Sequence, residues 1–211
     1  KAIAGSTDYD EQMKALAEVG SSTDEIYEAL VVKDIQEAAD ILQPVYDKSG
    51  VADGYVSLEV SPTLAHDTQA TCSEARRLHA ALERPNIMIK VPAISEGISA
   101  IKELIGDGIS VKVTLLFSLS HYEAVAEAYL QGLEKRKAAG GDLGQVASVA
   151  SFFVSRVDGK VIAVLDKSGY PELQGRVAVA NAKLAYGRFT ELFNGKRWQA
   201  LEAAGAHVQR P

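Results

Sequence analysis

The sequence contains a single cysteine, Cys72. That excludes an intrachain disulfide framework and leads to the expectation of a reducing, cytoplasmic setting. Free cysteine is usually a small packed residue, and Cys72 is read that way. No apolar run approaches the roughly 20 residues of a membrane-spanning helix, so no membrane partner is expected. Positive charge is in deficit, with 22 Lys and Arg against 28 Asp and Glu and a net charge of −6. Such a chain has no general attraction for nucleic acid or an anionic surface, and an anionic ligand would need a local basic spot. The four histidines, His66, His79, His121 and His207, lack ligand spacing, so no metal site is expected. No G-x-G-x-x-G follows the first strand-like run, and no G-x-x-x-x-G-K-[ST] occurs anywhere. Both absences count against a nucleotide-binding open sheet.

What is present is an ordinary globular balance, 47% hydrophobic and 24% charged over 211 residues, enough for one sizeable core. Residues 22–47 carry a helical pattern, with Ile26, Leu30, Val31, Ile35, Ala38, Ala39 and Leu42 at helical spacing. Ser22 and Glu25 at its start form a capping-box pattern. A strand follows at 53–62, a helix at 66–83, a strand at 86–93 and a short helix at 95–108. A strand at 111–118, a long helix at 118–141 and a strand at 146–155 continue the alternation. Helical segments then fill most of 157–204, broken at Gly169-Tyr170-Pro171. Parallel strands need helical crossovers, and strand starts near 55, 86, 111 and 146 have the spacing of βα units. The expected class is α/β with a parallel sheet, either an open doubly wound sheet or a (β/α)8 barrel. Its strands are expected to be apolar on both faces.

The stretch "NIMIKVPA" (86–93) puts Lys90 inside an otherwise apolar strand. Side chains alternate along a strand, so Lys90 defines one face. On the same side of the other strands lie Glu59, then Lys112 and Thr114, then Ser151. Glu59, Lys90, Thr114 and Ser151 are expected late in successive strands, at one level, where the active sites of barrels form. A strand-end hydroxyl is commonly a satisfied structural group, and a lysine there can snorkel to solvent. Four polar positions on one level of an apolar sheet are harder to explain by packing, because an unpaired buried charge costs several kcal/mol. Covalent catalysis is a use that fits. A neutral lysine amine attacks a ketone to form a Schiff base, and the iminium draws electrons so that a neighbouring C–C bond breaks. A carboxylate such as Glu59 can move protons through water, and a hydroxyl such as that of Thr114 can hold that water.

The segments "DGYVSLEVSPTLAHDT", "RPNIMIKVPA", "VTLLFS" and "VASVASFFVSRVD" resemble the successive strand motifs of the transaldolase family, and "ANAKLAYGRFTELF" resembles the helix that follows. The resemblance runs over essentially the whole chain. It implies a (β/α)8 barrel with Lys90 as the Schiff-base lysine and Glu59 and Thr114 as the pair that positions the catalytic water. It implies sugar contact by Ser151, a phosphate grip by Arg156, whose rigid fork of donors suits it, and an aromatic, Phe117, near the site. The reaction implied moves a dihydroxyacetone unit from sedoheptulose 7-phosphate to glyceraldehyde 3-phosphate in the non-oxidative pentose phosphate pathway. It implies sugar phosphates as partners, no metal and no organic cofactor; a homodimer is compatible with it.

Three departures accompany the resemblance. Lys112 stands where the family has a substrate-contacting asparagine, and Ile94 stands where a threonine usually follows "KVPA". The chain also matches only the middle of the barrel, strands 3 to 6, as one domain over residues 1–211 that reads as cut at both ends. The first strand, with its proton-transferring aspartate, the second strand and the eighth are not matched, and a seventh begins at "HVQRP". Two alternatives therefore stand beside the transferase: an aldolase of the same fold that releases the three-carbon unit, and an inactive scaffold in which Lys90 and Glu59 form a buried ion pair.

Overall fold

A computed structural model describes residues 5–211. The chain divides into two compact units. One contains the residues up to Val56 together with Ala80–Ile87, and the other contains Ser57–His79 and Met88–Pro211.

The first unit is built on helices α1 (Asp10–Glu18) and α2 (Thr23–Lys48). Helix α1 escapes a reading by apolar stripe because it buries no residue. The capping box at the start of α2 is present. Ser22 Oγ accepts the Glu25 backbone N–H at 3.3 Å, and the Glu25 carboxylate accepts the Ser22 N–H at 2.7 Å. Asn86 has no exposed surface, and its amide donates to the carbonyls of Ala39 and Gly54 at 2.8 and 2.9 Å. It anchors the residues just ahead of the lysine strand.

The second unit carries the sheet, apart from the first residue of its first two strands. Strands β1 (Val56–Glu59), β2 (Ile87–Pro92), β3 (Val111–Leu116) and β4 (Ser148–Phe152) lie side by side in chain order. The β2–β3 and β3–β4 pairs are parallel. Helices α3 (Thr68–Leu82), α4 (Ser95–Asp107) and α5 (Leu119–Ala138) connect them. Helices α6 (Ser155–Ser168), α7 (Arg176–Leu192) and α8 (Lys196–Glu202) follow. All four strands are shorter than expected, β1 and β4 most of all. Pro62 opens a 3-10 turn, Pro62–Leu64, beyond β1, and α6 starts at Ser155, beyond β4. After α8 the chain returns to the sheet. Arg210 pairs in parallel with Val149, and its carbonyl accepts the Ala150 N–H at 2.7 Å. The extended segment at "HVQRP" thus lies beside β4.

One face of the sheet is fully covered. Ile89, Val91, Val111, Val113 and Ala150 have no exposed surface there. They pack with α4 and α5, whose Ile101, Leu104, Ile105, Tyr122, Tyr129 and Leu133 are equally buried. The other face carries Lys90, Pro92, Lys112, Val149 and Ser151, all half-buried. Both faces are expected to be apolar; the second is less buried than the first and mixes apolar Met88, Pro92 and Val149 with Lys90, Lys112, Thr114 and Ser151. Cys72 is packed as expected, 4% exposed with its Sγ 4.0 Å from the Ala100 carbonyl, and burial pushes its thiol up. Among the described residues no helix is long and apolar enough to cross a membrane.

Candidate active site

Strand β2 sets Lys90 on the half-covered face because its neighbours Ile89 and Val91 point into the helix-covered core. Lys90 Nζ lies 2.8 Å from Glu59 Oε2 at the end of β1. Their side chains are 27% and 47% exposed, so the pair is open to solvent on one side. The Lys90–Glu59 ion pair named by the scaffold alternative does form, and it is partly exposed.

The sheet register orders the remaining groups. Lys90 pairs with Lys112, and Lys112 pairs with Val149, whose other neighbour is Arg210. Thr114 is opposite Pro92, two residues further along. The expected single level is thus two. Lys90, Lys112, Val149 and Arg210 form one, and Thr114 stands about 7 Å further toward the strand ends. Ser151 follows Ala150, the partner of Val113, so it stands near the level of Thr114. Among the described residues Lys112 forms no ion pair, and the Glu59 carboxylate goes to Lys90 instead.

Thr114 is only 8% exposed, and its Oγ1 is buried without a protein hydrogen-bond partner. An unsatisfied buried hydroxyl costs about 1–3 kcal/mol, so this oxygen is free to accept or donate a hydrogen bond on the site face. The Tyr122 hydroxyl is also buried without a partner on α5, and burial raises its pKa well above the usual phenol value. It belongs to the helix layer.

Phe117 and Arg156 meet at a residue the sequence reading did not single out for the site, Phe153. The Phe117 and Phe153 rings stack at 5.1 Å with planes 15° apart, and Arg156 Cζ sits 4.5 Å from the Phe153 centroid. Arg156 is exposed in the first turn of α6. Asn181 of α7 donates to the Phe117 carbonyl at 3.0 Å. The aromatic three residues before Arg156 was a usable sign, since an exposed guanidinium gains from a ring face. Nothing local in the sequence marks Asn181 or Arg210. Ile94 is the N-cap of α4 and makes no side-chain cap bond. Among the described residues no three His, Cys, Asp or Glu side chains gather as a metal-binding group.

The sequence model of the family described as Transaldolase/Fructose-6-phosphate aldolase matches residues 1–209. A protein named Transaldolase 1 from Streptomyces avermitilis is 53% identical over 213 residues, covering all of this chain and 56% of the relative. Transaldolase 2 of Streptomyces coelicolor is 51% identical over 214 residues, covering 58% of that protein. Transaldolase 2 of a Nostoc species is 48% identical over 223 residues, again covering 58% of the relative. The chain therefore spans somewhat more than half the length of the curated relatives it matches.

Proposed function

The chain belongs to the transaldolase/fructose-6-phosphate aldolase family, and from that premise we propose that Lys90 is the nucleophile of a transaldolase. The observation that carries the reading is the contact of Lys90 with Glu59 at 2.8 Å on the face where Thr114 keeps an unpartnered hydroxyl. A nucleophilic amine needs a group to exchange protons with, within hydrogen-bond reach, and Glu59 is in reach.

In this reading the Lys90 amine adds to the ketone carbon of a ketose phosphate. Loss of water gives the iminium. The bond between the third and fourth carbons then breaks, leaving a three-carbon enamine on Lys90 and releasing an aldehyde. The enamine carbon attacks an acceptor aldehyde, and hydrolysis frees Lys90. Glu59 and Thr114 hold the water that is lost and regained. Ser151 and Lys112 contact the sugar, Phe117 borders it, and Arg156 grips the phosphate through parallel N–H donors. The parallel strands fit consecutive strands of a (β/α)8 barrel, with Arg210 opening the next one beside β4, and the site face fits its interior. Sugar phosphates as substrates, the pentose phosphate pathway, a cytoplasmic setting and a homodimer belong to the same proposal.

The test is intact mass and peptide mapping of the protein after incubation with fructose 6-phosphate and borohydride. A reduced three-carbon adduct on Lys90, lost in Lys90→Met, is expected. An adduct elsewhere, or none, overturns the assignment. Product analysis with and without an aldehyde acceptor separates transfer from simple cleavage.

A further inference from the structure

Strands β3 and β4 fall out of step near the proposed site. Val113 pairs with Ala150, and the next pair is Leu116 with Phe152. Three steps along β3 match two along β4, so β3 holds one extra residue, a β-bulge. The backbone identifies it. Leu115 has φ +61°, a left-handed conformation that residues other than glycine, asparagine and aspartate seldom adopt.

The bulge decides which way the following side chains point. Lys112 and Thr114 emerge on the site face. In a regular strand Leu116 would join them and Phe117 would turn toward the helices. One inserted residue reverses both. Leu116 has no exposed surface, and Phe117 lies against Phe153 on the site side. The ladder resumes at once, with the Phe153 N–H donating to the Leu116 carbonyl at 2.9 Å, and Asn181 holds the Phe117 carbonyl. Phe153 in turn carries the Arg156 guanidinium on its ring. Leu115 itself is 38% exposed, so its side chain is only partly packed. What the position supplies is a backbone conformation.

We infer that Leu115 is a positioning residue. Its left-handed turn swings Phe117 onto Phe153, and the paired rings hold the Arg156 guanidinium ready for a phosphate group. The inference rests on the reading of Arg156 as the phosphate grip, and it is independent of Schiff-base formation at Lys90.

The test uses three substitutions at one position. Leu115→Gly removes the side chain and Leu115→Asn replaces it with a polar one of similar size, and both accept the left-handed conformation. Leu115→Val keeps an apolar side chain but resists it, because branching at Cβ makes that conformation a true outlier. The first readout is the rise in Tm produced by inorganic phosphate. The parent protein, Leu115→Gly and Leu115→Asn are expected to respond alike, while Leu115→Val and Arg156→Ala lose the response. The second readout is steady-state kinetics. Leu115→Val is expected to raise KM for fructose 6-phosphate about tenfold while leaving borohydride trapping of phosphate-free dihydroxyacetone on Lys90 unchanged. Phe153→Leu, which removes the ring and leaves the bulge, is expected to reproduce the phosphate defect should Leu115→Val fail to fold. The inference is overturned if the parent shows no phosphate response, or if Leu115→Val or Phe153→Leu keeps it. It is equally overturned if Leu115→Gly and Leu115→Asn lose as much as Leu115→Val, or if Leu115→Val also abolishes dihydroxyacetone trapping. A parent that responds to phosphate but never traps a ketose overturns the Lys90 reading alone.

Discussion

Lys90 and Lys112 are register partners on neighbouring strands, with backbones about 5 Å apart. In the proposed reaction the neutral Lys90 amine becomes an iminium, which is positively charged. Were the two side-chain charges as close as the backbones, they would repel by ~1 kcal/mol in water and ~3 kcal/mol at an effective dielectric constant near 20. The face is half-covered, so the cost lies between those limits. Lys112→Asn is therefore expected to raise the rate of adduct trapping on Lys90 about tenfold, which corresponds to roughly 1.4 kcal/mol. A lower trapping rate in Lys112→Asn would mean that this ammonium binds the sugar more than it opposes the iminium. The residue types on this face, Glu59, Lys90, Lys112, Thr114 and Ser151, were legible by simple alternation. Their two-level arrangement was not, because alternation gives the side of a strand and only interstrand register gives the height.

At the scale of elements, β2 and α4 meet at a tight corner. Ile94 caps α4 in an extended conformation and offers no side-chain acceptor to the helix's free N–H groups. Ile94→Thr is expected to stabilise the protein by about 1 kcal/mol, the usual worth of a threonine N-cap. Thermal unfolding reads it as a rise of a few degrees in Tm. Three residues on, a Cβ built on Gly97 would stand 2.0 Å from the Pro92 carbonyl oxygen, a backbone atom that cannot swing aside. Gly97→Ala is expected to destabilise by about 1–3 kcal/mol, the range for overpacking. It should also slow adduct formation, since Pro92 lies two residues beyond Lys90. Unchanged denaturant midpoint and trapping rate would show that the corner yields at no cost. Helix and strand order was legible from periodicity and turn residues. The bulge in β3 was not, since "VTLLFS" reads as an unbroken apolar strand and the extra residue shows only against the register of β4.

For the whole molecule, acid is expected to weaken the packing of α8 on α5. Arg197 donates to Glu134 at 2.7 and 2.9 Å and to Glu127 at 2.6 Å. These hydrogen bonds hold both carboxyls below the usual range. A carboxyl whose pKa is lower folded than unfolded contributes stability that is fully present above the unfolded value, about 4.3 for glutamate, and is lost as pH falls through the folded value. The groups are more than 40% exposed, so solvent screening limits each pair to about 0.5 kcal/mol. Arg197→Ala is expected to lower Tm by a few degrees at pH 7 and to make much less difference at pH 3. An equal loss at both pH values would mean that the side chain acts by packing alone.

Composition, apolar periodicity and the placement of glycine and proline were enough to determine the α/β class, the strand-and-helix order and the polar face centred on Lys90. Each of those follows from neighbours within a few residues, through side-chain alternation and turn preference. The ion pair of Lys90 with Glu59, the lone hydroxyl of Thr114, the contact of Phe117 and Arg156 through Phe153, and the return of Arg210 to β4 were decided by tertiary structure. They depend on how far one strand slides past the next and on a single left-handed residue, Leu115, and no local pattern carries that information.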